Sequence, residues 1–167
     1  MKTLHLLRHA KSAWDQPGLS DRERGLNKRG QRDAPRMGAA LAARVPAIPV
    51  AVSPARRAQL TLAGVRSAWP ELAALPHITE EALYTFNCDD LLTWIAGQGD
   101  EQQAVFLIGH NPALTDLINS LCGQYCLDNL PTAGYAQLSL EIDCWGEVQH
   151  GCGVLQESLF PKQLGDG

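Results

Sequence analysis

Three short segments of the sequence contain side chains that can bind a phosphoryl group, and each follows a predicted strand or extended stretch. They are residues 7–12 (LRHAKS), 53–58 (SPARRA) and 108–112 (IGHNP). In an open parallel sheet the carboxyl ends of neighbouring strands lie along one edge, where ligands bind. If these strands are neighbours, two guanidinium groups and two imidazoles converge at that edge, from Arg8, His9, Arg57 and His110.

The convergence of these groups, with no carboxylate among them, predicts a site for a phosphoryl group. Guanidinium groups bind phosphate oxygens through paired hydrogen bonds, and the amides that open helices after Ser53 and His110 are further donors to an anion. One imidazole can attack phosphorus and carry the group covalently while the other donates a hydrogen bond to its oxygens. Lys11, Ser12 and Asn111 belong to the same segments and are candidates for further substrate contacts.

A site of this kind needs neither a metal ion nor another cofactor. The arginines supply the positive charge that magnesium would otherwise provide in phosphoryl transfer. The five cysteines are odd in number and contain no C-x-x-C pair, so neither a disulfide framework nor a zinc site is expected. His5 and His77 are expected to be structural.

The elements that must position these residues alternate between apolar runs and helical patterns, which predicts an α/β fold with a largely parallel sheet. Strands are predicted at residues 3–8, 50–52, 77–79, 104–109, 135–142 and 153–160, the last two as a hairpin around residues 143–146. Helices are predicted from Asn27 to about Val45, from Ser53 to about Trp69, over residues 89–96, and from Asn111 to Leu121. We expect one domain over residues 1–160 and a C-terminal tail at residues 161–167.

The charges are segregated along the chain. Residues 1–66 contain 13 basic and four acidic residues, a net charge of +9, whereas residues 67–167 contain one basic and 14 acidic residues, a net charge of −13. A basic half suggests an anionic ligand, and we expect much of the cluster at residues 22–36 to frame an entrance for an anionic surface. Nucleic acid is disfavoured as a partner because the basic half lacks interleaved aromatic residues and the total charge is −4.

Composition and the first residues exclude other classes of protein. With 167 residues, 45% hydrophobic and 19% charged, the chain is long and apolar enough to fold as one globular domain and is not disordered. The apolar run at residues 3–7 is shorter than the core of a secretory signal, and no window approaches the length of a membrane span. We therefore expect a cytoplasmic protein with no membrane partner.

The motifs resemble those of the histidine phosphatase superfamily, also called the phosphoglycerate-mutase-like fold, from Lys2 to about Leu140. The family's Arg-His-Gly motif is present as RHA at residues 8–10, and its Ser-Pro-x-x-Arg-Ala-x-x-Thr motif spans residues 53–61. The SixA-type branch, named for a phosphohistidine phosphatase, is similar in four segments: LRHAKSAW at 7–14, RGLNKRG at 24–30, GHNP at 109–112 and LPTAG at 130–134.

The resemblance implies a fold, an activity and a set of site residues. The fold would be a three-layer α/β/α arrangement around a mostly parallel mixed central sheet. His9 would be the nucleophile, and the phosphoryl group would be held by Arg8, Arg57 and His110. Ala10 stands where the family usually has glycine, which adds a methyl group to the loop after the nucleophile.

The family's proton donor is missing from its usual positions. Many members have a glutamate after the leucine that corresponds to Leu83, where this chain has Tyr84, and another branch has an aspartate where this chain has Asn111. Glu80 and Glu81 remain as candidates for a general acid. Expulsion of an alkoxide benefits from a general acid, typically by about 10²–10⁴-fold, whereas imidazole, with a pKa of about 6.5, is already a good leaving group.

These observations lead to a main hypothesis and two alternatives. The main one is a metal-independent phosphatase that removes the phosphoryl group from phosphohistidine in a partner protein through a phospho-His9 intermediate. The first alternative is a phosphatase for small phosphomonoesters with Glu80 or Glu81 as the acid. The second is a catalytically weak module that binds phosphate or a similar anion on a partner.

Overall fold

The centre of the protein is a six-stranded sheet, seen in a computed structural model that describes residues 1–165. The strands are β1 (Lys2–Arg8), β2 (Val50–Val52), β3 (His77–Thr79), β4 (Ala104–Gly109), β5 (Tyr135–Leu140) and β6 (Gly153–Leu159). Their order across the sheet is β3-β2-β4-β1-β5-β6. The first four pair in parallel, and β5 and β6 add antiparallel pairs at one side. The predicted mostly parallel mixed sheet is confirmed.

Two layers of helix cover the sheet. The helices are α1 (Lys28–Ala42), α2 (Arg56–Ser67), α3 (Pro70–Ala73), α4 (Cys88–Ala96) and α5 (Ala113–Cys122). Leu4 and Leu6 of β1 pack with residues of α4 and α5, whereas Leu7 packs with residues of α1 and α2. Successive side chains of a strand point to opposite faces, so β1 contributes to both cores. The three-layer α/β/α architecture is therefore confirmed.

The start of α1 follows the predicted cap. The Asn27 side chain accepts a hydrogen bond from the Gly30 amide at 2.9 Å, which satisfies one of the free donors of the first turn. The helix continues through Pro35 to Ala42. It packs closely on α2 at Gly38, where only a glycine fits: a Cβ added there would lie 2.3 Å from the Val65 carbonyl oxygen.

Two helices begin later than predicted, α2 by three residues and α5 by two. Helix α2 begins at Arg56, since the Ser53 hydroxyl bonds the amide of Ala55, two residues on, in a turn that precedes the helix. Helix α5 begins at Ala113, with the Asn111 side chain accepting from the Thr115 amide in its first turn.

Further differences lie at the ends of elements. Helix α3 was not predicted; Pro70, directly after the predicted end of α2, opens this short helix at its first position. The β5–β6 hairpin is confirmed, but its connection is longer than predicted and contains a 3-10 turn at Trp145–Glu147.

In the predicted tail, Pro161–Gln163 form a 3-10 turn, and residues 166 and 167 lie outside the described residues. The five cysteines are free thiols. Within residues 1–165, no helix has the length and apolar character to cross a membrane.

Candidate active site

The two site histidines follow neighbouring strands. Strand β1 ends at Arg8 and β4 ends at Gly109, and these two residues are partners in the parallel register. His9 and His110 therefore leave the sheet side by side, with their ring centroids 5.2 Å apart. The prediction that the strands of these segments are neighbours is confirmed.

His9 is held as a neutral imidazole. Its Nδ1 lies 2.7 Å from the Ala10 carbonyl oxygen, which can only accept, so Nδ1 carries the proton and Nε2 keeps its lone pair. The pKa of His9 is lowered to about 3, chiefly by burial; the Ala10 hydrogen bond opposes this shift, and the positive charges of Arg57, Arg8 and Arg24 add to it. At neutral pH the Nε2 atom is available as a nucleophile.

The backbone around His9 is fixed from both sides. The amide of Ala10 donates to Thr61 Oγ1 at 2.8 Å, and the same hydroxyl donates to the Arg57 carbonyl at 2.7 Å. On the other side, the Ala133 amide donates to the His9 carbonyl at 3.0 Å. Ala10 is fully buried in a small apolar cluster that includes Ala133, which accommodates the methyl group that the family's glycine lacks.

One ring nitrogen of His110 is hydrogen-bonded to Ser53, and the other has no partner among the described residues. Its Nε2 lies 2.7 Å from Ser53 Oγ at the end of β2, whereas its buried Nδ1 has no hydrogen-bond partner within residues 1–165. The pKa of His110 is lowered to about 3, chiefly by burial, with smaller contributions in the same direction from His9 and Arg57. When the serine hydroxyl donates to Nε2, Nδ1 carries the proton and can donate to an anion.

The two arginines also combine structural bonds with a free donor. Arg8 donates from Nη1 to the Leu130 carbonyl at 3.1 Å, and Arg57 donates from Nη1 and Nη2 to Asp21. The Nε atoms of both arginines are buried and have no partner in the described part of the chain. Buried polar atoms in proteins nearly always have a partner, so two guanidinium donors and His110 Nδ1 point to an anionic ligand.

The expectation that no carboxylate converges on the site was wrong. Asp21 Oδ2 lies 3.0 Å from Arg57 Nη2 and accepts from the Tyr84 hydroxyl at 2.5 Å, while Oδ1 accepts from Arg24 at 2.9 Å. Burial alone would raise the pKa of Asp21, but hydrogen bonds from Tyr84, Arg24 and Arg57 hold it far below its usual value. The Asp21 carboxylate is therefore ionised, and both of its oxygens accept hydrogen bonds.

The two candidate acids lie at the same end of the sheet but differ in environment. Glu81 is exposed and forms a bidentate ion pair with Arg22, at 2.7 and 3.1 Å. The hydrogen bonds from Arg22 lower the pKa of Glu81. Glu80 follows β3, where its amide donates to the Val52 carbonyl. Tyr84 occupies the place of the family's glutamate, with its ring centroid 5.5 Å from that of His110.

The three candidate substrate contacts differ in their availability. Lys11 is exposed, and its ammonium group has no hydrogen-bond or ion-pair partner among residues 1–165. Ser12 is buried, and its hydroxyl accepts from Arg24 at 2.8 Å. Asn111 uses its amide within the protein, since Nδ2 donates to the Leu130 carbonyl and Oδ1 accepts from Thr115.

From the sequence we expect only that the loop from Trp14 to Asn27 and the segment around Tyr84–Asp90 border the substrate. That expectation gives no individual role to Asp21, Tyr84 or Phe86, which lie in these segments. Phe86 contacts His110 edge-on, with the ring centroids 5.6 Å apart. Asp21 begins a short 3-10 turn, Asp21–Glu23, in a segment whose sequence has no periodicity, so no pattern indicated its contacts. Tyr84 was named individually only as a departure from the family. In the described residues, no three His, Cys, Asp or Glu side chains are grouped so that they could hold a metal ion.

A parallel sheet edge with two neutral histidines, the buried Arg57 and the partly buried Arg8 defines a phosphatase of the class that uses histidine. The sequence profile of the histidine phosphatase superfamily (branch 1) matches residues 4–91, and the chain belongs to this superfamily. The uncharacterised protein Rv1276c of Mycobacterium tuberculosis is 33% identical over 166 residues, which cover 93% of this chain and 100% of that protein.

Solved structures agree with this assignment. The protein designated phosphohistidine phosphatase SixA of Agrobacterium tumefaciens superposes with a TM-score of 0.80 at 28% identity, covering 96% of this chain and 98% of that one. The protein histidine phosphatase SixA complexed with tungstate has the same fold, with a TM-score of 0.77 at 23% identity and coverage of 98% and 99%. The resemblance to the superfamily and its SixA-type branch is confirmed, and the protein is a phosphatase.

Proposed function

We propose that the protein hydrolyses phosphohistidine in a partner protein through a phospho-His9 intermediate, without a metal ion. The observation that carries the proposal is the state of His9, a buried neutral imidazole with Nδ1 bound to the Ala10 carbonyl and Nε2 free. The unpartnered Nε atoms of Arg8 and Arg57 and Nδ1 of His110 would donate to the phosphoryl oxygens.

The proposed reaction has two steps. In the first, the lone pair of His9 Nε2 attacks phosphorus and the bond from phosphorus to the substrate nitrogen breaks. Its electron pair returns to the substrate ring, which carries a proton on its other nitrogen and therefore leaves as neutral imidazole. In the second, water attacks the phosphorus of phospho-His9, the phosphorus–nitrogen bond breaks, and phosphate leaves with neutral His9 restored. The arginines supply the positive charge for both steps, so the chemistry requires no metal ion.

The acidic groups of the site favour a phosphoramidate over an ester. Asp21 is held ionised by three donors, and Glu81 is bound to Arg22 at the surface. The Tyr84 hydroxyl already donates to Asp21, and its pKa is raised by burial and by that bond. None of these groups readily gives up a proton at neutral pH. An alkyl phosphate needs such a proton because its leaving group is an alkoxide, whereas a phosphorylated imidazole has a good leaving group without one.

Similar proteins support the same substrate and an anion at this site. The Agrobacterium tumefaciens protein at 28% identity is designated a phosphohistidine phosphatase. A protein of the same fold forms a complex with tungstate, which is a tetrahedral oxyanion like phosphate.

One observation favours a second function, a phosphatase for small phosphomonoesters. Glu80 directly follows β3, and its amide is bound to Val52, so its backbone lies at the sheet edge that carries the site. In this function Glu80 would donate a proton to the leaving alkoxide, and a Glu80→Gln variant would lose ester turnover by about 10²–10⁴-fold.

The test compares substrates and the nucleophile. The protein is incubated with a phosphohistidine-bearing protein, with nitrophenyl phosphate and with sugar phosphates, all in the presence of a chelator. We expect phosphate release from the first substrate alone, and we expect the His9→Ala variant to be inactive while His77→Ala, at an exposed histidine, retains activity. A label on His9 that is labile in acid and stable in base would identify the intermediate.

Three results would contradict the proposal. Efficient ester turnover without phosphohistidine turnover would support the second function. Tight phosphate binding without turnover of any substrate would indicate a binding module. Substantial activity in the His9→Ala variant would exclude His9 as the nucleophile.

A further inference from the structure

Phe86 is an exposed aromatic side chain in direct contact with a site histidine. Its ring is 49% exposed, although it packs edge-on against His110 at a centroid distance of 5.6 Å and an interplanar angle of 62°. It also packs against Tyr84 at 5.9 Å and 74°. Because His110 lies 5.2 Å from His9, the Phe86 ring is separated from the nucleophile by a single imidazole.

The segment that carries Phe86 is fixed by its neighbours. The Thr85 hydroxyl donates to Asp90 at 2.6 Å and accepts from the Asn87 amide at 3.1 Å. The Asn87 side chain then caps α4 by accepting from the Asp89 amide at 2.8 Å. Phe86 is therefore presented from a capped turn, and its exposure is built into the local structure.

An exposed phenyl ring beside a catalytic cleft is stabilised when a ligand covers it, because apolar surface is removed from water. In an in-line displacement the leaving atom lies opposite the attacking atom across phosphorus, so the leaving group extends away from the buried His9 toward the exposed side of the site. Phe86 lies on that side, exposed and in contact with His110. When the leaving group is itself an aromatic ring, it can also make the edge or offset contacts that aromatic pairs favour.

We propose that Phe86 binds the imidazole ring of the leaving histidine and so selects aromatic phosphoramidates over those that lack a ring. This inference rests on the proposed function, since it concerns the leaving group of phosphohistidine. Phe86 makes no bond to the phosphoryl group in this proposal and acts on specificity. Its effect should therefore depend on the leaving group and not on the phosphorus–nitrogen bond.

A purely structural role makes a different prediction. If Phe86 only shields or orients His110, its removal changes phosphoryl transfer for every substrate by the same factor. If it binds the leaving ring, its removal affects only substrates that have one. Phosphohistidine and phosphoramidate separate these cases, because both contain a phosphorus–nitrogen bond but the second releases ammonia.

The experiment measures kcat/KM on both compounds for the wild type, Phe86→Leu, Phe86→Trp and, as a control, Tyr125→Leu, which removes another exposed aromatic ring. We expect Phe86→Leu to lower kcat/KM for phosphohistidine by roughly three- to tenfold and to leave phosphoramidate within about twofold. Phe86→Trp keeps a ring and should keep the wild-type preference, as should Tyr125→Leu. The comparison within each variant makes the result independent of how much of the protein is folded.

An unchanged ratio of kcat/KM between the two compounds in Phe86→Leu, whether both values fall equally or neither falls, overturns this inference alone. A wild-type protein that turns over neither compound overturns the proposed function and this inference with it. A preference lost in Phe86→Trp as well as in Phe86→Leu would also contradict binding of the ring by an aromatic contact.

Discussion

Asp21 Oδ2 lies 3.0 Å from Nη2 of Arg57, and the Asp21 carbonyl oxygen accepts from Nη1 of the same guanidinium at 2.7 Å. Arg57 is only 2% exposed. Asp21 binds both of its terminal nitrogens, whereas its buried Nε has no partner within residues 1–165 and is left for a ligand. Asp21 thus orients the arginine and also places a negative charge beside the site of a bound anion.

We predict that Asp21→Asn strengthens inhibition by inorganic phosphate by roughly three- to tenfold, since a like charge within several ångströms of the anion is removed. The backbone carbonyl of residue 21 still binds Nη1, so Arg57 should keep its orientation. The inhibition constant for phosphate, measured against the wild type at low salt, checks the prediction. Asp15→Asn, an exposed acidic residue of the same segment, is the matched control. Unchanged or weaker inhibition in Asp21→Asn would show that the carboxylate does not repel the ligand.

Tyr84→Phe tests whether the residue at the family's acid position donates a proton. The phenol donates to Asp21 at 2.5 Å, and burial together with that bond raises its pKa. We expect Tyr84→Phe to keep kcat on phosphohistidine within about threefold of the wild type, because the leaving imidazole needs no general acid. A loss of about 100-fold or more on phosphohistidine would identify the phenol as the acid and contradict the proposed route.

The strand-borne part of the site could be predicted from the sequence, because local patterns determine it. A continuous apolar run such as Ala104–Gly109 indicates a buried strand, and the polar residue that follows it must lie at the sheet edge. Asp21 could not be predicted in this way. It contacts Arg57, 36 residues away, from a short 3-10 turn that lies against α2, and local sequence patterns do not determine such a long-range contact.

Glu81 is close to the site in sequence, but its side chain points to solvent. The 3-10 turn Glu81–Leu83 buries Leu83 completely, and the same turn points Glu81 to solvent, where it pairs with Arg22. The expected basic entrance is altered by the same contact. Arg22 is paired with Glu81 and Arg24 with Asp21, so acidic residues neutralise two of the charges that were expected to attract an anionic surface.

Thr61→Val should weaken both the fold and the site. The Thr61 hydroxyl accepts from the buried Ala10 amide and donates to the Arg57 carbonyl, so valine leaves a buried donor without its partner. We expect a loss of about 1–3 kcal/mol in the free energy of unfolding, measured by urea denaturation, and a lower kcat because the loop after His9 is loosened. Thr93→Val is a close control, since Thr93 makes the same bond to the carbonyl four residues earlier but at the surface. Equal losses in the two variants would mean that the bond to Ala10 contributes nothing.

Burial of uncharged histidines should make stability fall as the solution becomes acidic. Burial lowers the pKa of His5 to about 4, and of His9 and His110 to about 3. In the unfolded chain these groups titrate near pH 6.5, so below that pH the unfolded state binds more protons and becomes favoured. Their contribution to stability is therefore complete above about pH 6.5 and is lost as the pH falls toward the folded values.

His5→Phe isolates one of these groups without touching the site. The His5 ring stacks against both Phe106 and Tyr135, and phenylalanine can take the same place while the Tyr135 hydroxyl keeps its bond to Gln137. Between pH 7 and pH 5 the wild type should lose about 2 kcal/mol more stability than His5→Phe, which is the cost of keeping one such histidine unprotonated. Urea denaturation of both proteins at several pH values measures the difference. Parallel stability curves would show that His5 is protonated as easily in the folded protein as in the unfolded chain.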